Sequence, residues 1–343
     1  MLPSDTWRAP RLRVVVGGVP LANATDATII SSGGFAADFF RVRAAVSADA
    51  ATWDWPVPIS VNVQIALGPM GSFVSVVQGQ ADAIGFDPIA GTLTIEGRNN
   101  AAALIEARTQ ETFANRTSSE IATILAGRHG LIADAQATTT PVGRYWELEH
   151  DRLTLDAGSR ATTEWDLLVT LAGWEGFDLW VTGSTLHFRP TPVLPMPPTL
   201  SAAPTAFGPP DFIRLRLDRA MSFAGDIVVT VKSWHSRMGS GTVQVARTER
   251  DAAVSQGYVL VAPNLTPDAA QQMAQRRLAE LLSHELCLRA EMPGELTLMP
   301  RMTFQLAGTG TSFDRIWEID EVERRLSMRD GFTQLLRARA SSG

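Results

Sequence analysis

The chain has one cysteine, one lysine and two tyrosines among 343 residues. A single thiol, Cys287, excludes an intrachain disulfide and a thiolate zinc cluster. It sits in the apolar alternation Leu286-Cys287-Leu288, which sets the expectation of a buried small hydrophobe. Lys232 is the only lysine among 30 basic residues and lies in an apparent strand, so no phosphate-cradling Walker loop can be built around it. No apolar run approaches the roughly 20 residues that cross a bilayer. The start, Met1-Leu2-Pro3-Ser4-Asp5-Thr6-Trp7, lacks the basic and apolar blocks of a signal peptide. Maturation or assembly in the cytoplasm, with no membrane span, is the resulting expectation. Net charge is −6 with no basic block, which counts against a sequence-reading nucleic-acid binder. With 45% hydrophobic and 19% charged residues, the chain can bury a sizeable core and is not a disordered polymer.

Catalytic patterns are missing too. The histidines 129, 150, 187, 235 and 284 are scattered, and none pairs at the i, i+4 spacing that puts two metal ligands on one helical face. His284-Glu285 opens like a zinc-protease motif, but no second histidine follows at the needed distance. There is no Gly-x-Ser-x-Gly elbow, and Gly239-Ser240-Gly241 reads as a hairpin turn. A glycosidase needs only two carboxylates, and Glu147 with Glu149 or Asp314 with Glu318 are the pairs to weigh. Of the nine tryptophans, Trp146, Trp165, Trp174, Trp180 and Trp317 occupy apolar periodic contexts that suit a core. Trp53 and Trp55, flanking Asp54 in a loop, are the residues assigned to an exposed contact. No catalytic, cofactor-binding or metal-binding residue is assigned, and no cofactor is expected.

What is present is strand periodicity. Residues 1–97 carry six short strands at roughly ten-residue spacing, punctuated by turns such as Gly68-Pro69 and Asp87-Pro88, which suggests a small antiparallel barrel. In Ile59 to Leu67 the apolar Ile59, Val61, Val63 and Ile65 alternate with Ser60, Asn62 and Gln64. From Arg98 the period changes. Thr117-Ser118-Ser119-Glu120 fits a capping box ahead of Ile121, Ile124 and Leu125, with Gly130 as terminator. A second helix is read over Thr163 to Trp174, and a hairpin over Phe177 to Phe188. Residues 98–190 therefore read as an α+β insert. Prolines crowd 191–210, a stiff connector. Residues 211–343 return to strands, interrupted by one helix at about 266–283 with proline at its first position. The fold class is α+β, mainly β: two antiparallel β-barrels with an α/β insert between them.

The middle segment carries a resemblance. Gly97-Arg98-Asn99 leads through Ala103-Leu104-Ile105, Ala107-Arg108-Thr109-Gln110-Glu111-Thr112-Phe113 and Ser119-Glu120-Ile121-Ala122 to His129-Gly130-Leu131. Trp165-Asp166-Leu167-Leu168, Glu175-Gly176-Phe177, Leu179-Trp180-Val181 and Leu186-His187-Phe188 follow in order. This run resembles the phage late control protein D family, the baseplate hub proteins of contractile tails of the phage Mu type and the hub part of VgrG-like proteins. Ile316 to Val322 with Gly331, Thr333 and Leu335 resembles that family's last hairpin. The match is good over 90–190 and loose over 310–340. Asn99 stands where the family has aspartate after Gly-Arg, and Glu323 where histidine is common. The resemblance implies two tail-tube-like barrels per chain and a homotrimeric, pseudo-sixfold ring joining a tail tube to a central spike. It also implies a tape-measure partner, a lumen that passes nucleic acid without specific binding, residence in a virion baseplate and no enzymatic turnover. The chain ends soon after the last hairpin, so the spike is expected to be a separate protein. The reading from a different class is a tail-associated cell-wall hydrolase or glycan-binding protein.

Overall fold

The computed structural model describes residues 9–46, 57–68, 71–109, 111, 113, 116–139, 141–142, 163–191, 195–206, 208–235, 240–248, 250, 255–262 and 265–341. The protein is α+β and mainly β. Its first strands are β1 (Pro10–Val16), β2 (Val19–Pro20), β3 (Ala24–Ser32), β4 (Phe39–Ala45), β5 (Ser60–Leu67), β6 (Val74–Asp87) and β7 (Thr92–Asn99). In sheet order β3-β4-β7-β6-β5-β1 they curl until β1 stands beside β3. The period-2 pattern dictates what faces inward. Val61, Val63 and Ile65 of β5 meet Val14, Ile29, Phe40, Val42 and Ile95 in one buried cluster. Each such side chain is worth about 1.5–3 kcal/mol when removed from water. Gly97 is required by crowding here, because a Cβ would lie 2.5 Å from the Phe40 ring and 2.1 Å from the Gln80 carbonyl oxygen.

The insert follows as α1 (Ala101–Glu106), β8 (Arg116–Thr117), α2 (Ser118–Arg128), β9 (Ile132–Ala135), β10 (Pro141–Val142), α3 (Glu164–Glu175), β11 (Asp178–Thr182) and β12 (Thr185–Arg189). The capping box is formed: Thr117 Oγ1 accepts from the Glu120 amide while the Glu120 carboxylate accepts from the Thr117 amide. Thr163 caps α3 and Gly176 closes it at φ 71°, the left-handed position glycine tolerates best. The helices and the β11–β12–β9 sheet share a core of Leu104, Ile121, Leu125, Trp165, Leu168, Leu179 and Phe188.

Beyond the insert run β13 (Thr199–Ser201), β14 (Arg214–Arg219), β15 (Asp226–His235), β16 (Ser240–Arg247), β17 (Ser255–Val261) and α4 (Pro267–Ser283). The last four strands are β18 (Leu286–Pro293), β19 (Thr303–Ala307), β20 (Ile316–Ser327) and β21 (Gly331–Ala340). A second six-stranded layer has the order β14-β18-β21-β20-β19-β13. Asp211 fastens its ends: its amide donates to the Ser201 carbonyl at 3.0 Å and its carboxylate accepts from the Ser201 amide at 2.7 Å. Inside lie Leu200, Leu288, Phe304, Leu306, Trp317, Ile319 and Leu336. Strands β15 to β17 leave this layer and form their own sheet, ordered β16-β15-β17 and backed by α4.

One strand ties the two barrels together. Residues Ile316–Glu318 of β20 pair with β19, and Glu321–Ser327 pair with β3. Between them the register shifts at Ile319/Glu321, a bulge that re-aims the strand. Trp317 and Ile319 therefore enter the second core and Leu326 the first.

The Cys287 expectation is corrected by the same periodicity. In β18 Leu288, Ala290 and Met292 are buried, and the cysteine before them points outward and is exposed. The apolar triplet hid a position with outward orientation.

Candidate assembly surfaces

Three regions carry chemistry. The first is the joint where both barrels and the insert meet. Arg301 precedes β19 with φ 71°, which turns its side chain back into the molecule. Its guanidinium donates to the carbonyls of Ser32 at 3.4 Å, Gly34 at 3.2 Å and Leu179 at 3.3 Å. Ser32 and Gly34 lie at the end of β3 in the first barrel, Leu179 lies in β11 of the insert, and Arg301 itself comes from the second barrel. The same group lies 4.9 Å from the centre of the Trp180 ring, and Trp180 stacks on His187 at 4.7 Å. His187 Nδ1 pairs with Asp134 at 2.7 Å. Asn99 and Asn100 donate to the carbonyls of Val181 and Gly183, and the Trp165 indole donates to Phe35 at 2.7 Å.

Buried charge surrounds this joint. Burial pushes the Asp38 carboxyl above its ordinary range, against the opposing pull of the Ser32 amide and Arg301. Arg324 is fully buried and donates to the carbonyls of Glu295, at 3.0 Å, and Leu298. Burial lowers its pKa to about 10, so it stays cationic at neutral pH. A small cavity of about 140 Å³ lies beside Asp38, Asn99, Trp180 and Arg301.

The second region is the outward face of the shared sheet. Arg339 pairs with Glu318 at 3.1 Å and Asp320 at 3.2 Å, Arg337 with Glu321 at 3.2 Å, and Arg325 with Glu323 at 2.6 Å. Asp320, left over at the bulge, has its pKa raised to about 6 by burial, with Glu318 and Glu321 pushing the same way. The face is charge-compensated, with a shallow concavity flanked by Asp218, Cys287, Arg289 and Arg339.

The third region is bare. In β15, Ile227, Val229 and Val231 face α4, which leaves Thr230, Lys232 and Trp234 outward. The register sets Val245 and Val259 on either side of Thr230, and Val243 and Val261 on either side of Lys232. Trp234 is 60% exposed and Val261 79%. Below this face Asp226 accepts from Ser255 at 2.7 Å, Thr248 at 2.8 Å and Arg247 at 2.8 Å, which knots the three strands at one end. The hydroxyls of Ser255 and Thr248 hold its carboxyl below the usual range.

The residues singled out from sequence fall variously. Trp53, Asp54 and Trp55 lie outside the described residues, as do Trp146, Glu147 and Glu149. Trp165 and Trp317 are buried. Asp314 and Glu318 are engaged apart from each other: Asp314 accepts from the amides of Thr309 and Gly310, and Glu318 pairs with Arg339. His129 pairs with Glu164 at 2.6 Å, a helix-to-helix tie. Among the described residues no three His, Cys, Asp or Glu side chains converge as a metal site. Sequence reading passed over Trp234 and Arg301. For Trp234 a signal existed, since it shares the parity of Asp226, Thr230 and Lys232, opposite the apolar Ile227, Val229 and Val231. For Arg301 there was none.

No family model matches the sequence, and no curated protein matches it significantly. Solved structures do match. A tail protein from Neisseria meningitidis aligns at a TM-score of 0.72 and 17% identity, covering 96% of both chains. A 43 kDa tail protein of prophage MuSo2 from Shewanella oneidensis aligns at 0.71 and 15%, covering 96% of this chain and 98% of that one. The chain has the fold of phage tail proteins. An E. coli component of the type VI secretion system, itself described as similar to phage T4 tail proteins, shares this tail-protein fold at 0.56 and 12%, over 96% and 77% of the two chains. The matches cover 96% of the chain and are not confined to the segment that carries the sequence resemblance.

Proposed function

We propose that the chain is a baseplate hub subunit, a structural protein without turnover, working in the tail of a phage or phage-like injection particle assembled in the host cytoplasm. Three copies close into a ring. Each contributes two barrels, so the ring presents six barrels to a sixfold tail tube and a threefold face to a central spike, with a tape-measure protein as a further partner. The observation that carries this reading is β20, which pairs with β19 on one side of its bulge and with β3 on the other. Two barrels held by a continuous hydrogen-bonded strand keep a fixed relative orientation, which a pseudo-sixfold ring requires. Subunits in such a ring meet through unlike surfaces, and a heterologous contact closes when the rotation is right. The compensated charges of the outward sheet face suit a lumen that passes nucleic acid without retaining phosphates.

The test is the mass of the purified chain, alone and with candidate tube and spike proteins, followed by electron cryomicroscopy of the particle. A trimer at the tube–spike junction is the expected result. A monomer at every concentration, with both partners present, would sink the proposal. Peptidoglycan zymography is expected to show no clearing; clearing abolished by replacing one carboxylate would favour a cell-wall hydrolase instead.

A further inference from the structure

Unpaired strand edges are templates on which another strand can add, and proteins block them with charge, proline, shortness or bulges. The edges in this chain differ in that respect. β14 bears Arg214, Arg216, Asp218 and Arg219, all exposed. β2 is two residues long and ends in Pro20. β16 carries Arg247 and lies under α4. β17, Ser255-Gln256-Gly257-Tyr258-Val259-Leu260-Val261, has no charge and no proline, and it pairs with β15 over seven residues without a register shift. Among the described residues its other edge has no strand beside it. Its flanks are apolar on both sides: Val259 and Val261 project onto the bare face, and Tyr258 and Leu260 are only partly covered at the margin of the α4 core.

We propose that β17 is an acceptor edge, onto which a strand from a different protein of the particle adds, continuing the β16-β15-β17 sheet. The occupant's chemistry follows from the edge. It is an extended segment with no charge over about five to seven residues and an apolar side chain at every second position, since such a strand satisfies the free amides and carbonyls and covers the valines. A second copy is the poorer occupant: β17 on β17 is isologous and closes at two copies, and the edges a head-to-tail contact would offer it, β14 and β16, carry Arg214, Arg216, Asp218, Arg219 and Arg247. Taking the occupant from the particle rests on the hub reading.

Hydrogen exchange of the segment 255–261, measured on the full chain in solution and in intact particles, tests this. The outward amides of β17 are expected to exchange about tenfold more slowly, or better, in the particle. Val259→Lys, at an exposed position, is expected to leave the melting of the free chain unchanged and abolish that protection, whereas Val259→Thr keeps it. Particles that contain the chain but show unaltered exchange overturn the proposal and leave the hub reading standing. Protection that appears in the free chain as concentration rises overturns it in favour of self-pairing. Purified particles that lack the chain overturn the hub reading itself.

Discussion

The joint around Arg301 and the β15–β17 sheet are built on opposite principles. At the joint, costly groups are buried and tied: Arg324 reaches two carbonyls, and Arg301 reaches three, two at the end of β3 and one in β11. In the outer sheet, apolar groups that are cheap to bury are left in water, with Trp234 and four valines on one open face. A buried cation is a poor source of stability but a demanding one geometrically, because its donors accept few arrangements. A bare apolar face specifies nothing until something covers it. The first region holds a frame in one shape, and the second is finished by assembly.

Replacing Arg324 with alanine is the strongest way to break that contrast. It empties a fully buried volume and strands the carbonyls of Glu295 and Leu298. The expected loss is about 3–5 kcal/mol in urea unfolding. A loss no larger than that of a change on the bare face would end the distinction.

Asp226→Asn addresses the outer sheet from within. The carboxylate that gathers Ser255, Thr248 and Arg247 loses its charge, and amide exchange in β15–β17 is expected to rise roughly tenfold with the barrels unaffected. Because the folded state holds this group's pKa below its ordinary value, the stability it supplies is present above that value and fades as pH falls through the folded pKa. Acid should therefore loosen this sheet.

Asp320 runs the other way. With its pKa raised to about 6, the folded chain keeps a proton that the unfolded chain releases from about pH 4 upward. The stability tied to that proton is fully present below pH 4 and lost as pH rises through 6. Asp320→Asn is expected to stabilise by about 1 kcal/mol at pH 7.5, discounted for the partial exposure of the side chain, and by nothing below pH 4. Urea melts at the two pH values decide this. The smallest effect belongs to Val245→Thr on the bare face, within about 0.5 kcal/mol in the free chain. A larger loss would mean that this face is packed in the isolated protein.

Legibility in the sequence followed the range of the interactions. The α2 capping box, the αL glycines and the α4 start were readable because each is settled within four residues. The strand β13, set among prolines, was missed because only its parallel pairing with β19 makes it a strand. The apolar neighbours of Cys287 suggest burial, whereas its parity, opposite to that of Leu288, Ala290 and Met292, places it outside. The three β15–β17 strands were visible, but not their departure from the barrel. An alternating apolar strand reads alike whichever sheet it joins.

By itself, then, the sequence determined the local elements: period 2 for strands, caps and glycines for helix ends, and a charge balance without a basic face. Only the tertiary structure decided which strands share a sheet, that β20 bends from one barrel into the other, and that Arg301 closes the joint. Those outcomes depend on backbone hydrogen bonds between residues far apart in the chain, and such bonds leave almost no mark on the side chains that form them.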